Sequence, residues 1–281
     1  MIFLTITIVI LVTSLVLGYL IIRNFSKPSR RHTSTLNDEG IKFEEVSIPT
    51  ENNKKLFGWW IEAKSKAPTI ILMHGWDRNI SRLIPYIKNH HGRGFNLLAF
   101  DTRHHGNSDS DNFSSMVKFA QDISASINFI ENKSTVEKDN YFLIGLSIGG
   151  AASIYAAAAD SRIKKIVTVG APSNPAQVMT ILMRKKRIPQ PIIWAAFKIM
   201  EFRIGKPFTQ LASATNISKT KAQVLLIHGT KDKIVPFSQA KIIIDAANEG
   251  QTILWAIDGK GHSNCHYEPG FWDSIIEFLQ Q

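Results

Sequence analysis

Three features of the sequence predict an α/β domain built on a mostly parallel sheet. Short, nearly continuous apolar runs such as TIILM, NLLAF, KIVTV and VLLI recur along the chain. Strands covered by helices on both faces need such runs. Segments of helical periodicity separate them, and strand–helix alternation is the pattern of a parallel sheet. The chain is also large enough: 281 residues, 44% hydrophobic and 10% aromatic, support a substantial core, and 20% charged residues are not the composition of a disordered chain.

Strands are expected over residues 43–48, 56–61, 69–73, 96–100, 141–144, 165–169, 222–227 and 252–257, eight in all. Helices are expected near 80–91, 115–131, 148–159, 238–248 and 271–279. No helical segment separates the first two strands, so they should form an antiparallel edge hairpin. About fifty residues separate the sixth strand from the seventh, far more than a usual connection. That stretch holds Pro172, Pro175, Pro189, Pro191 and Pro207, the basic cluster Arg184-Lys185-Lys186-Arg187 and an apolar run over 192–200. It reads as a small helical cap inserted over residues 173–220.

Ahead of this domain, residues 2–22 contain no Asp, Glu, Lys, Arg or His. As a helix they would span about 31 Å, a bilayer's hydrocarbon thickness, so residues 1–22 are expected to be a transmembrane anchor. A cleaved signal peptide fits less well: no basic residue precedes the run, it is too long, and no Ala-x-Ala site follows. Arg23, Lys27, Arg30 and Arg31 follow it in a polar stretch, residues 23–37, that reads as a basic linker. Positive flanks stay inside, so a single-pass protein of the cell membrane with its 38–281 domain in the cytoplasm is expected. One cysteine, Cys265, excludes a disulfide framework and a zinc site of several cysteines. It also agrees with a reducing compartment.

The chemistry centres on Gly145-Leu146-Ser147-Ile148-Gly149-Gly150, directly after an expected strand and opening a helix. This is G-x-S-x-G in the context that lifts a serine hydroxyl above a sheet edge. A serine needs a base, and the base needs a carboxylate to orient it; the chain order in such sheets is Ser, acid, His. Asp232 lies in the loop after the seventh strand and His262 in the Gly-rich loop after the eighth, so both share the serine's edge of the sheet. Asp258 is a rival acid, but it stands only four residues from His262 and off the strand-end pattern. Asp160 ends a helix and reads as a cap or a solvent contact. Oxyanion donors are expected from the backbone N–H of Ile148 and of Trp76, the latter in His74-Gly75-Trp76 after the third strand. His74 and His228 read as structural, His32 as a linker residue, and His90 and His91 as the end of a surface helix.

These pieces, with Asp101-Thr102-Arg103-His104-His105-Gly106-Asn107-Ser108 and the loop around Asp232, make the chain resemble the α/β-hydrolases. The likeness is to membrane-anchored serine hydrolases related to monoacylglycerol lipases and serine aminopeptidases. It covers the chain from about residue 43 onward. It implies an α/β-hydrolase fold and hydrolysis through an acyl-enzyme on Ser147, and it makes 101–108 a structural turn. The basic insertion matches no particular cap.

Carboxylic esters, including lipid-derived acyl groups, lead as the substrate class. A serine peptidase, amidase or thioesterase on the same residues, or a non-catalytic binding protein of this fold, are the alternatives. The chemistry calls for no metal or cofactor.

Net charge is +10, with a pI near 9.6. Residues 23–31 carry +4 and residues 174–220 carry +7, which leaves −1 for everything else. This is not the footprint of a nucleic-acid binder. It places the basicity on a membrane flank and on a cap that could meet an anionic surface.

Overall fold

The computed structural model describes residues 2–25, 28 and 30–281; within the N-terminal helix, side chains are described at 5, 7–9 and 11–23. The strands are β1 (Glu44–Thr50), β2 (Lys54–Ile61), β3 (Ala67–Met73), β4 (Asn96–Phe100), β5 (Val136–Leu146), β6 (Ile163–Val169), β7 (Gln223–Gly229) and β8 (Thr252–Ile257). They form one sheet in the order β1-β2-β4-β3-β5-β6-β7-β8. β1 pairs with β2, and β2 with β4, antiparallel; every other neighbour is parallel. The edge hairpin and the parallel centre therefore take the arrangement that the run pattern predicts.

The helices are α1 (Ile2–Phe25), α2 (Ile84–His90), α3 (Met116–Ile130), α4 (Ile148–Ala157), α5 (Pro175–Lys185), α6 (Gln190–Ile204), α7 (Phe208–Leu211), α8 (Ser213–Asn216), α9 (Ser238–Asp245) and α10 (Phe271–Gln280). Alternate residues of the central strands feed two separate cores. Ile71 and Met73 of β3 and Leu143 of β5 pack with Phe119, Ile123 and Ile127 of α3 and with Ile154 of α4. Ile70, Leu72 and Ile144 pack with Tyr86 and Ile87 of α2 and with Phe271 and Phe278 of α10. Because both faces are covered, the strands had to be apolar at successive positions.

Three details differ from the sequence reading. β5 begins at Val136, five residues early: Val136 is buried and pairs with Ala67 of β3, and the register then shifts across the exposed Glu137, Lys138 and Asp139, which leave no apolar run. The helix expected over 80–91 opens as a 3₁₀ turn, Ile80–Leu83, and Pro85 sits in the first turn of α2. His90 does not lie on a surface: it is fully buried, bonds Tyr86 O through Nδ1 at 2.8 Å and faces the Trp272 ring.

The four helices α5–α8 occupy the long connection between β6 and β7 and stand over the C-terminal edge of the sheet. α1 packs along α6. Ser14, Gly18 and Ile22, spaced four apart, are its buried stripe, and a Cβ on Gly18 would come within 2.9 Å of Ala196 N. Glycine is what lets the two backbones approach so closely. The span expected over residues 2–22 falls within α1 and partly outside the described residues; among the described residues no helix is long and apolar enough to cross a membrane. Lys27 of the basic flank also lies outside the described residues.

The polar stretch after α1 is stitched to the body from residue 30 onward. Arg30 donates to Ser108 O (2.5 Å) and Ser110 Oγ, and His32 Nε2 meets Asp101 Oδ2 at 2.7 Å. Asn79 Nδ2 donates to Arg31 O, and Ser81 Oγ donates to Ser34 O. Asp101 is the hub of the turn that follows β4: its carboxylate also accepts the Ile80 and Asn107 N–H groups. Burial alone would raise its pKa, but the His32 hydrogen bond, His74 and the Asn107 N–H together hold it below the usual carboxylate value. A Cβ on Gly106 would collide with this carboxylate, so the turn needs glycine there.

Candidate active site

β5 ends at Leu146 and α4 begins at Ile148, so one residue, Ser147, makes the whole turn. Its backbone sits at φ 53°, ψ −120°, a conformation that costs a non-glycine residue energy and marks functional turns. Small neighbours are obligatory. A Cβ on Gly145 would lie 2.6 Å from Gly149 C and Gly150 Cα, and one on Gly149 would lie 2.5 Å from His74 O. Ser147 N–H donates to Val169 O at 2.8 Å, which ties the turn to the end of β6.

Asp232 follows β7 and is 7% exposed. Its Oδ1 accepts the Ile234 and Val235 N–H groups at 2.8 and 2.9 Å, so the carboxylate cannot rotate freely. Its Oδ2 accepts from His262 Nδ1 at 2.6 Å. His262 Nε2 in turn lies 3.1 Å from Ser147 Oγ. Serine, histidine and aspartate, from three different strand ends, thus form one hydrogen-bonded chain. The rival Asp258 instead accepts from Thr230 Oγ1, and Asp160 pairs with Arg162 at 2.7 Å.

The loops are fixed by backbone contacts. Lys231 N–H donates to Lys260 O at 2.9 Å, joining the acid loop to the histidine loop. Gly170, at φ +69°, lies directly beneath the imidazole, where a Cβ would stand 3.1 Å from His262 Nδ1. Sequence reasoning did not single out Gly170, although a glycine directly after an apolar strand was the available signal. His228 Nε2 bonds Val235 O at 2.9 Å under the acid loop, and His74 Nδ1 bonds Gly75 O while its Nε2 accepts Thr102 N–H. Desolvation lowers the pKa of both histidines, so both stay uncharged at neutral pH. Burial pushes the Cys265 thiol up to about 11, which leaves it a packing group.

The turn after β3 runs against the serine: a Cβ on Gly75 would be 3.3 Å from Ser147 Cβ. Trp76 and Ile148 therefore flank Ser147, and the Ile148 N–H belongs to the first turn of α4, where backbone donors lack intrahelical partners. The Trp76 ring lines the cavity and meets His105 edge-on.

Ser147 and His262 open into a cavity of about 530 Å³. The cap supplies a large share of its apolar wall, with Met179, Leu182, Met200, Ile204 and Phe208. Ile22 of α1 contributes as well, so the N-terminal helix is part of the site's wall, a contact that no local pattern announces. Among the described residues no group of three or more His, Cys, Asp or Glu side chains is placed to hold a metal ion.

Comparison with known proteins agrees with this architecture. The family model described as serine aminopeptidase, S33, matches residues 64–201. The esterase Pf2001 of Pyrococcus furiosus superposes with a TM-score of 0.73 at 22% identity, over 90% of this chain and 98% of that one. The uncharacterized membrane protein YNL320W of Saccharomyces cerevisiae is 23% identical over 263 residues, 92% of this chain and 87% of its own length. The thiohydrolase apmlB of Arthrinium phaeospermum is 30% identical over 129 residues, 45% of this chain and 42% of its own.

Proposed function

The chain has the α/β-hydrolase fold, and from that premise we propose that it is a serine esterase that cleaves carboxylic acyl esters through an acyl-enzyme on Ser147. One observation carries this reading: the hydrogen-bonded chain Ser147–His262–Asp232 stands at the wall of an apolar cavity of about 530 Å³. That volume lies within the range of sites that enclose a small organic ligand.

The steps follow from the geometry. Ser147 Oγ attacks the acyl carbon while His262 Nε2 takes its proton. Asp232, held by two backbone N–H groups, fixes the Nδ1–H tautomer and stabilises the imidazolium. The N–H groups of Ile148 and Trp76 receive the oxyanion. His262 gives the proton to the leaving alcohol, and water, activated by the same imidazole, then releases the acid. The acyl chain lies along the apolar cap residues and Ile22. A fluorophosphonate probe should label the protein and fail to label Ser147→Ala; equal labelling of both would overturn the assignment. Thioesters form a second reading, supported by the name of the thiohydrolase relative and by identical triad chemistry.

The chain is further proposed to sit in the cell membrane by α1, with the body cytoplasmic. Support comes from the apolar run over 2–22, the basic residues after it, and exposed Val9, Leu11, Val12 and Tyr19 on the described part of α1. The yeast relative is named a membrane protein. Trp194 and Phe202 of α6, 51% and 88% exposed, together with the basic cap, support seating against an anionic leaflet. Alkaline carbonate should leave the full chain in the membrane pellet; release into the supernatant would remove the anchor.

A further inference from the structure

The cavity wall has two unlike parts. Beyond the apolar cap residues, three guanidinium-bearing side chains line it, Arg78, Arg82 and Arg203, and among the described residues no Asp or Glu does. Their engagements differ. Arg203 stacks 4.5 Å from the Phe113 ring centroid and donates to Asn112 O at 3.1 Å, so it latches the cap. Arg82 is half-buried and donates through one nitrogen to Ser263 O at 2.8 Å. Arg78 is exposed at the rim and forms no ion pair among the described residues; its neighbour Asp77 does not line the cavity.

Place decides what these arginines face. In the ester mechanism His262 hands its proton to the departing alcohol, so groups beside His262 border the leaving group. Arg82 is bonded to the carbonyl of the residue next to His262. Arg78 precedes it on the same segment, two residues after Trp76. A guanidinium still has donors to spare after one backbone bond, and its planar fork fits a phosphate oxygen pair. Cations that share a wall with no carboxylate repel one another until an anion joins them.

We propose that Arg82 and Arg78 form an anion subsite for the leaving group, so that the substrate is a single-chain acyl ester or thioester of a phosphate-bearing alcohol or thiol. The inference rests on the esterase reading and names its substrate class. In the reaction, the bond from Ser147 Oγ to the acyl carbon forms and the acyl carbon–oxygen bond, or in a thioester the carbon–sulfur bond, breaks. The serine proton passes through His262 to the departing phosphate-bearing alcohol or thiol; water then supplies the hydroxyl of the released acid and the proton that restores Ser147. The same wall argues against aminopeptidase action, because a substrate α-ammonium group needs a carboxylate and the described lining offers none.

The test uses the full chain in neutral detergent micelles, with three palmitoyl substrates: lysophosphatidate, coenzyme A thioester and monoacylglycerol. The readout is the ratio of kcat/KM for each phosphate-bearing substrate over the neutral glycerol ester, measured within one enzyme preparation and therefore independent of folded yield. A charge-assisted contact implies a ratio of about 10- to 100-fold in the natural protein. Arg78→Gln should bring it toward one, Arg78→Glu should invert it, and Arg78→Lys should keep part of it. Preference for lysophosphatidate assigns the phosphate to a lipid head, and preference for the thioester assigns it to a soluble carrier; either supports the subsite. A ratio near one in the natural protein, or one unmoved by both Arg78→Gln and Arg78→Glu, overturns it. If Ser147 takes the fluorophosphonate probe but no phosphate-bearing substrate turns over, the subsite alone falls. Absence of labelling overturns the ester reading beneath it.

Discussion

The strand-end loops and the cap meet across one cavity, and they are held in place by different forces. In the loops, backbone groups do the holding. Ser147 N–H is fixed to Val169 O, Asp232 is gripped by two N–H groups, and Lys231 N–H joins one loop to the next. Glycines 145, 149 and 170 leave no room for a side chain. The cap is held to the body by side chains: Arg203 stacks on Phe113 and donates to Asn112 O, and Lys185 donates to Lys233 O, while Gly18 lets α1 approach the α6 backbone. The loops belong to a body of net charge −1, while the cap carries +7. Reacting atoms must keep sub-ångström geometry, which backbone provides. A substrate-shaped wall needs only surface and charge, which exchangeable side chains provide.

That contrast can be broken from the loop side first. Ser147→Ala should lower ester turnover by about 10⁴-fold or more while the thermal midpoint stays put. A midpoint shift of several degrees would mean that the serine is structural. Next in size is an acid effect carried by the body. Burial holds His90 at about 4, whereas an unfolded histidine titrates near 6.5. Between those values the unfolded chain binds more protons, so stability rises with pH through this window and is lost as pH falls toward 4. The loss should approach about 3 kcal/mol, read as urea midpoints at pH 7 and pH 4.5. His90→Gln should flatten that dependence, and an unchanged slope would remove His90 as its source.

Two substitutions test close contacts in the two regions. Gly149→Val pushes a Cβ toward His74 O and should cost about 1–3 kcal/mol of stability along with activity, seen in denaturant midpoints. Gly18→Val wedges α1 from α6, where its Cβ would stand 2.9 Å from Ala196 N. It should raise KM for a palmitoyl p-nitrophenyl ester roughly 5-fold, equivalent to about 1 kcal/mol, and barely move that for the acetyl ester. Equal effects on both esters would show that the cap acts on the chemistry and not on the acyl chain.

The same division explains what could be read in advance. The sheet was legible because each buried strand is a continuous apolar word, and the edge hairpin because no helix interrupts it. The polar start of β5 was not, since the exposed Glu137, Lys138 and Asp139 separate Val136, which pairs with Ala67, from the apolar run that begins at Tyr141. At the site, G-x-S-x-G and chain order pointed to Ser147, Asp232 and His262 because those residues depend on local turns at strand ends. Ile22 and Arg82 were invisible. Each reaches the cavity through packing between segments far apart in sequence, and neither carries a local pattern. The contact of His32 was hidden for the same reason, since Asp101 lies 69 positions further along the chain.

The bonds of residues 30–34 to Asp101, Asn79, Ser81 and Ser108 bear on how the domain moves. A free stretch covering 23–37 would let the domain wander through a radius of roughly 50 Å at full extension. Stitched down from residue 30, and with α1 resting on the cap, the domain keeps one orientation and one height relative to the N-terminal helix. A site carried this way cannot reach out for its substrate. Under the proposed membrane seating it would sample a thin layer at constant depth, and encounter would become a matter of lateral diffusion within that layer.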